Sequence, residues 1–257
     1  TLPQNLTDNF ADRGTVNFVL VDFASTDGTV DWIIKNFSRH LESGFLSLYR
    51  APALDPYDTS FAKNTAAVLG SGDILTNLDG DNFTGRRGGR HVLETFASYK
   101  GPIVYHQQAG PGDGSTGRIS TLRAHFYGVG GYDEQFQPYG YQDHDFVRRV
   151  ATKYKAKIVP QRISRLLHFW NTLRWRGPFE CRFNRCIPNP RPSSIDHQSL
   201  DWEEMNAANH LLSVHNVRKG KLVANSGLIG KRELEKYVNG DFVRINSLEE
   251  GSQFQTA

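Results

Sequence analysis

Gly72-Asp73-Ile74-Leu75-Thr76-Asn77-Leu78-Asp79-Gly80-Asp81-Asn82 is the stretch on which the reading of this chain turns. The apolar run over residues 74–78 predicts a buried strand, and it ends in two carboxylates that flank a glycine and precede an amide. Ligands of open α/β sheets bind beyond the carboxyl ends of the strands, so Asp79 and Asp81 stand where a ligand is expected. Two carboxylates one residue apart repel unless a cation, a proton or solvent relieves them. A hard divalent ion, Mn²⁺ or Mg²⁺, whose oxygen shell is completed by a diphosphate, meets that need. A plain Asp/Gly/Asn turn after a strand is the other reading of the same residues.

On either side, strands alternate with helices. Leu2, Leu6 and Phe10, spaced by four, predict an amphipathic helix. Residues 16–21 predict a strand, residues from about 30 a helix, 45–49 a strand, and 57–69 a helix that carries Lys63 and Asn64. After the acidic strand come a helix over 89–99 and a strand over 103–105. This alternation predicts an α/β fold with a doubly wound, mostly parallel sheet flanked by helices. A core of residues 1–160 is followed by a helical or irregular extension, 161–257, with a proline-rich connection at 187–194 and a helix at 202–217.

Other residues carry two readings each. Asp22 ends the second predicted segment, and Ser25, Thr26 and Asp27 can hydrogen-bond a ribose or base, or cap the next helix. The loop 108–117 holds four glycines and no GK[ST] ending, which fits a surface loop or a lid rather than a phosphate loop. Asp143 and Asp145 fall in the first turn of a helix, where the dipole favours anions. Residues 155–159 predict an edge strand. From Arg162 onward basic residues interleave with aromatics, Arg174-Trp175-Arg176 among them, a pattern that clamps phosphate or forms a plain basic surface. His168 lies among apolar neighbours, which suits a core histidine. Cys181 and Cys186, five positions apart, could form a disulfide or remain two free thiols, the second being favoured.

Composition narrows the partners. With 257 residues, 38% apolar and 22% charged, the chain can bury a sizeable core. A net charge of +3 suits an anionic small molecule or a peripheral membrane contact and does not call for nucleic acid. No apolar run nears the ~20 residues of a membrane span. Sequons begin at Asn5, Asn36 and Asn82, and a glycan on Asn82 would block the acidic site, so a cytoplasmic compartment is the expectation.

Three separated segments together resemble glycosyltransferases of the GT-A fold, family two in particular. Val21-Asp22-Phe23-Ala24-Ser25-Thr26-Asp27-Gly28-Thr29 resembles the family's nucleoside loop. Lys63-Asn64 through Asp81 resembles its helix and DxD run. Gly130-Gly131-Tyr132-Asp133-Glu134, followed by residues 140–149, resembles its glycine turn and acidic helix. More loosely, the region after Ala156 is similar to the beta-1,4-galactosyltransferases, in which a histidine after this helix completes the metal site; His168 falls at a comparable place.

The resemblance implies a metal-dependent glycosyltransferase, hexosyl-transferring and inverting, that uses a nucleotide-sugar donor, in the first place a UDP-sugar. It implies Asp22, Ser25, Asp27 and Asn64 on the nucleotide, Asp79 on the ribose or donor sugar, and Asp81 with His168 on Mn²⁺ or Mg²⁺. Arg174 and Arg176 would assist the departing diphosphate. Asp143 would be the general base, and Tyr139, Tyr141 and Gln142 would face an acceptor glycan or small molecule, which the C-terminal extension helps to enclose. The departures are Phe23 in place of the motif's second aspartate and Gln142 in place of its glutamate. The strand that such folds place ahead of the Thr1 helix is not found. A retaining transferase, or a binding module that has lost chemistry, shares these features; a nucleotidyltransferase ranks lower for want of a glycine- and lysine-rich loop near residue 1.

Overall fold

The computed structural model describes residues 1–54, 57–107, 116–160, 202–227, 229 and 233–245. In chain order the elements are α1 (Leu2–Asn9), β1 (Phe18–Phe23), α2 (Thr29–Glu42), β2 (Leu46–Ala51), α3 (Thr59–Val68), β3 (Ile74–Thr76), α4 (Gly88–Ala97), β4 (Ile103–His106), β5 (Ile119–Leu122), α5 (Arg123–Gly128), α6 (Gln142–Tyr154), β6 (Lys157–Pro160), α7 (Trp202–Arg218), β7 (Leu234–Val238) and β8 (Asp241–Ile245). Local chemistry explains several boundaries. Asp58 caps α3 by accepting from the Phe61 amide at 2.8 Å. Gly28, at φ +81°, turns the chain into α2, whose first turn holds Asp31 and whose last holds Arg39 and His40, matching the dipole at both ends.

The strands form two four-stranded sheets, ordered β1-β2-β7-β8 and β3-β5-β4-β6. The α/β class is as expected, but the pairing is mixed. β1–β2 and β4–β6 are parallel, while β5 runs antiparallel to both β3 and β4, and β7 antiparallel to β2. β6 ends its sheet, the edge position expected of residues 155–159. The expected strand 74–78 runs only to Thr76, although the Asn77 amide still bonds the Ile119 carbonyl of β5 at 2.9 Å, and the Asn77 side chain donates to the Gly117 carbonyl at 2.8 Å. Residues 234–245, expected within the extension, form a hairpin that prolongs the first sheet. Their apolar alternation is too short to stand out in the sequence.

Two layers of core hold these sheets. Leu6, Val30, Ile33, Phe45, Leu46 and Leu48 pack between α1, α2 and the first sheet. Val104, Ile119, Phe126, Val129, Phe146 and Val150 pack α5 and α6 against the second. Val68 of α3 touches this second core and also the cluster of Tyr49, Leu69 and Leu234 under the first sheet, so α3 spans both. No helix among the described residues is long and apolar enough to cross a membrane. Asn5 and Asn82 are buried, so the folded chain offers neither sequon to a glycan.

Candidate active site

The loop after β3 carries the two acids and is pinned from three sides. The Asn82 amide bonds the Asp79 carbonyl at 2.9 Å, closing a turn, and Asn77 Nδ2 donates to Asp79 Oδ1 at 3.1 Å. Asn82 Nδ2 donates to Asp81 Oδ1 at 2.8 Å. From α1, Asn5 donates to the Asn82 carbonyl and accepts from the Thr84 amide, while Asn9 accepts from the Gly89 amide. Arg118 of the segment entering β5 donates to the Phe83 carbonyl at 2.9 Å. Gly117 must be glycine, because a Cβ there would lie 2.2 Å from Asp79 Oδ2.

The helix bearing Asp143 is held as firmly. Gly130 and Gly131, at φ +71° and +65°, form the turn after α5, and a Cβ on Gly131 would lie 2.4 Å from Asn64 Oδ1. Arg149 of α6 bonds the Val129 and Gly131 carbonyls and pairs with the buried Asp145 at 2.6 Å. On the other side, Asn209 of α7 accepts from the Gln137 amide and donates to the Gly140 carbonyl, both at 2.7 Å, so the loop leading into α6 is fastened to α7.

These two assemblies meet at Lys63. Its Nζ lies 2.7 Å from Asp143 Oδ1 and 3.6 Å from Asp79 Oδ1, with the Tyr132 ring 5.5 Å away. The lysine side chain is 9% exposed, against 18% for Asp143 and 33% for Asp79. Burial acts to lower the lysine's pKa, but Asp143 and Asp79 outweigh it, and the amine stays well above its ordinary value. Burial raises Asp79, which Lys63 opposes and the charge of Asp143 reinforces. Tyr139 stands beside the cluster: burial, then the charge of Asp79, holds its hydroxyl above the usual range.

A cavity of about 370 Å³ opens at the end of β1, lined by Asp22, Ser25, Thr26, Gly28, Asp31 and Arg50 among others. Asp22 Oδ2 accepts from the Ser25 amide at 3.1 Å. Asp27 is exposed and accepts from the Thr29 amide, which is the capping role; it does not line the cavity. Phe23 packs edge-on against Tyr57 at 6.3 Å, and Tyr57 feels the charges of Lys63 and Asp79, so this ring pair links the cavity to the acids.

Asp22, Ser25, Asp79, Asp81, Tyr139 and Asp143 therefore lie on surfaces a substrate could reach, whereas three other expected contacts are engaged within the protein. Asn64, expected on the nucleotide, is fully buried; its amide donates to Tyr132 and Glu134 and accepts from the Tyr132 amide. Gln142, expected on the acceptor, is buried and donates to the Pro138 carbonyl at 3.2 Å. Tyr141, expected under a sugar ring, stacks on His210 at 4.5 Å, and its hydroxyl accepts from Arg148 at 2.6 Å. His168, Arg174 and Arg176 lie outside the described residues, as do the two cysteines. Lys63 and Asn209 received no role from the sequence. The sequence marked Lys63 only as the start of the segment that resembles the family's helix and DxD run, with no task attached.

Among the described residues no group of three or more His, Cys, Asp or Glu could hold a metal ion. The donors of the loop, two carboxylates, are the hard oxygen type that Mn²⁺ and Mg²⁺ take, and their small number suits an ion whose remaining positions are filled by phosphate oxygens.

Comparison with known proteins agrees with this geometry. A family profile described as the N-terminal domain of galactosyltransferase matches residues 108–171, the segment that contains β5, α5 and α6. Among solved structures, the chain is similar to the mannosyltransferase PcManGT from Pyrobaculum calidifontis, in complex with GDP-Man and Mn²⁺. The TM-score is 0.51 at 15% identity, covering 84% of this chain and 69% of that one. No curated protein matches. The fold is that of a GT-A glycosyltransferase, and the segment bearing Asp143 resembles a galactosyltransferase segment.

Proposed function

We propose that this protein transfers a sugar from a nucleotide-sugar donor to a hydroxyl of a glycan or small acceptor, with inversion at the anomeric carbon. The observation that carries the reading is the meeting of Asp79 and Asp143, drawn from separate segments, at one buried ammonium. The nucleoside occupies the cavity at Asp22 and Ser25, and Asp79 faces the ribose or the donor sugar. Asp81 would hold a divalent ion, with His168 as a second protein ligand, and Arg174 and Arg176 would add positive charge for the departing diphosphate. Such an ion, when bound, acts as Lewis acid and template for the leaving diphosphate.

Asp143 takes the acceptor proton. The acceptor oxygen forms its bond to the anomeric carbon, the bond from that carbon to the phosphate oxygen breaks, and the nucleoside diphosphate leaves. A base for this step must be ionised and within hydrogen-bond reach of the hydroxyl. The first turn of α6 supplies a dipole that favours the anion, and Tyr139 offers a ring face beside it for a pyranose. The resemblance of the three sequence segments suggests a UDP-sugar, while the neighbour of shared fold was solved with GDP-mannose, so a donor screen includes both.

The test incubates the protein with UDP- and GDP-sugars and Mn²⁺, and reads nucleoside diphosphate release and transfer to simple glycosides. Asp143→Asn should leave donor binding intact and lower transfer by about 10²–10⁴-fold, the contribution of a general base. Asp81→Asn should abolish the metal dependence of donor binding. An Asp143→Asn variant with full transfer removes Asp143 from the role of base, and absence of binding to every nucleotide sugar, with or without metal, removes the enzyme.

A further inference from the structure

Lys63 sits where no element of the proposed chemistry requires a cation of its own. It projects from α3, is nearly inaccessible, and reaches acids of two different segments at once: Asp143 at 2.7 Å and Asp79 at 3.6 Å. A lone ammonium this deep is costly, and removing one member of such a pair leaves an uncompensated charge, so the arrangement persists only because the carboxylates need it as much as it needs them. Its neighbours are built to hold it still. Asn64, the next residue, is locked to the 132–134 segment, and Thr65 donates to the Phe61 carbonyl inside α3. Gly117, having no side chain, leaves the space that the Asp79 carboxylate fills, and Asn77 Nδ2 holds that carboxylate at 3.1 Å.

Resting on the transferase reading above, we propose that Lys63 is the positioning residue of the reaction: it orients the Asp143 carboxylate for the acceptor hydroxyl and ties the acceptor side of the site to the donor side through Asp79. The groups that face Asp143 or act on it are Lys63, Asp79, Tyr132, Tyr139 and His106, with His144 adjacent on α6. Of these, Lys63 is the one within hydrogen-bond distance of the carboxylate in the described structure. Among the described residues it forms an ion pair with both acids. Transfer of a proton from the acceptor to Asp143 therefore occurs against a fixed ammonium. The donor-side acid feels the same charge, so whatever shifts Lys63 is felt on both sides.

The experiment compares Lys63→Met, Lys63→Arg, Asp143→Asn and the Lys63→Met/Asp143→Asn double variant. Lys63→Met should lower kcat for transfer by about 10²-fold, the cost of a misplaced catalytic group. Lys63→Arg, which keeps the charge and a donor within reach of the carboxylate, should restore most of that rate. A thermal-melt cycle reads the pair without turnover: the double variant should melt above Lys63→Met alone, because it removes one stranded carboxylate. An active wild type whose Lys63→Met variant keeps its rate, or whose Lys63→Arg variant is as slow as Lys63→Met, overturns this role alone, as does a melt cycle in which the two substitutions simply add. A wild type with no transfer from any nucleotide sugar overturns the transferase reading and this role with it.

Discussion

Single residues show why a motif can be legible while the task of each of its members is not. The glycines and acids of 130–145 were readable as resembling the family's glycine turn and acidic helix, and Asp143, part-exposed, lies 2.7 Å from the Lys63 ammonium. Yet Asn64, Gln142 and Tyr141, read from the same motifs as ligand contacts, spend their polar atoms inside the protein. A polar side chain looks the same in a sequence whether it bonds a ligand or a backbone carbonyl, and only the surrounding fold decides. Gly131 makes the point in reverse. Its φ of +65° and the Asn64 oxygen where a Cβ would go mean that the glycine and the buried amide specify each other. Gly131→Ala should destabilise the protein by about 1–3 kcal/mol, the cost of a side chain in the left-handed region, more if Asn64 cannot yield. Thermal melts of that variant beside Asn64→Ala check it; a Gly131→Ala melt within error of wild type would show that the turn relaxes freely.

At the level of elements, the strands and helices up to residue 106 were visible because their apolar periods are long and separated by turn residues. β5, α5 and the β7–β8 hairpin were not, since four to six residues of mixed polarity carry no clear period. What these unseen elements do is hold the site in place. α7 was predicted as a helix, but nothing in Asn206-Ala207-Ala208-Asn209-His210 says that Asn209 will clamp the loop before the base. Its amide meets the Gln137, Tyr139 and Gly140 carbonyls and its oxygen meets the Gln137 amide, all in a buried setting. Leaving such backbone groups unsatisfied costs about 1–3 kcal/mol for each one that water cannot reach. Asn209→Ala should therefore lower the melting temperature clearly and weaken transfer by displacing Tyr139 and Asp143. Donor affinity at the Asp22 cavity, which belongs to the other sheet, should change little. Donor affinity lost in step with transfer would mean that α7 supports the whole molecule and not this loop.

For the molecule as a whole, the buried titratable groups set a pH dependence that no one element shows. Burial lowers the pKa of His91, His106 and His125, so each resists protonation in the folded chain more than in the unfolded one, whose histidines titrate near about 6.5. Below that value the unfolded state binds more protons, and linkage then requires stability to fall as pH falls, in a window that opens at about 6.5 and runs down towards the depressed folded values. Asp79 and Asp133 act with the opposite sign, because burial raises them and the folded state holds their protons longer. Their window lies between the ordinary aspartate value of about 4 and their raised values, so acid restores some stability there. His125 separates the two contributions: its ring stacks on Tyr154 at 4.1 Å, and its Nδ1 is buried without a partner, so a phenyl ring should replace it at little cost. Melts from pH 7.5 to 5.5 should show a falling midpoint in the wild type and a shallower fall in His125→Phe, with the two proteins alike at the upper end. A wild-type midpoint that is flat or rising over that range would mean that the raised acids, and not the buried histidines, govern the stability of the fold near neutrality.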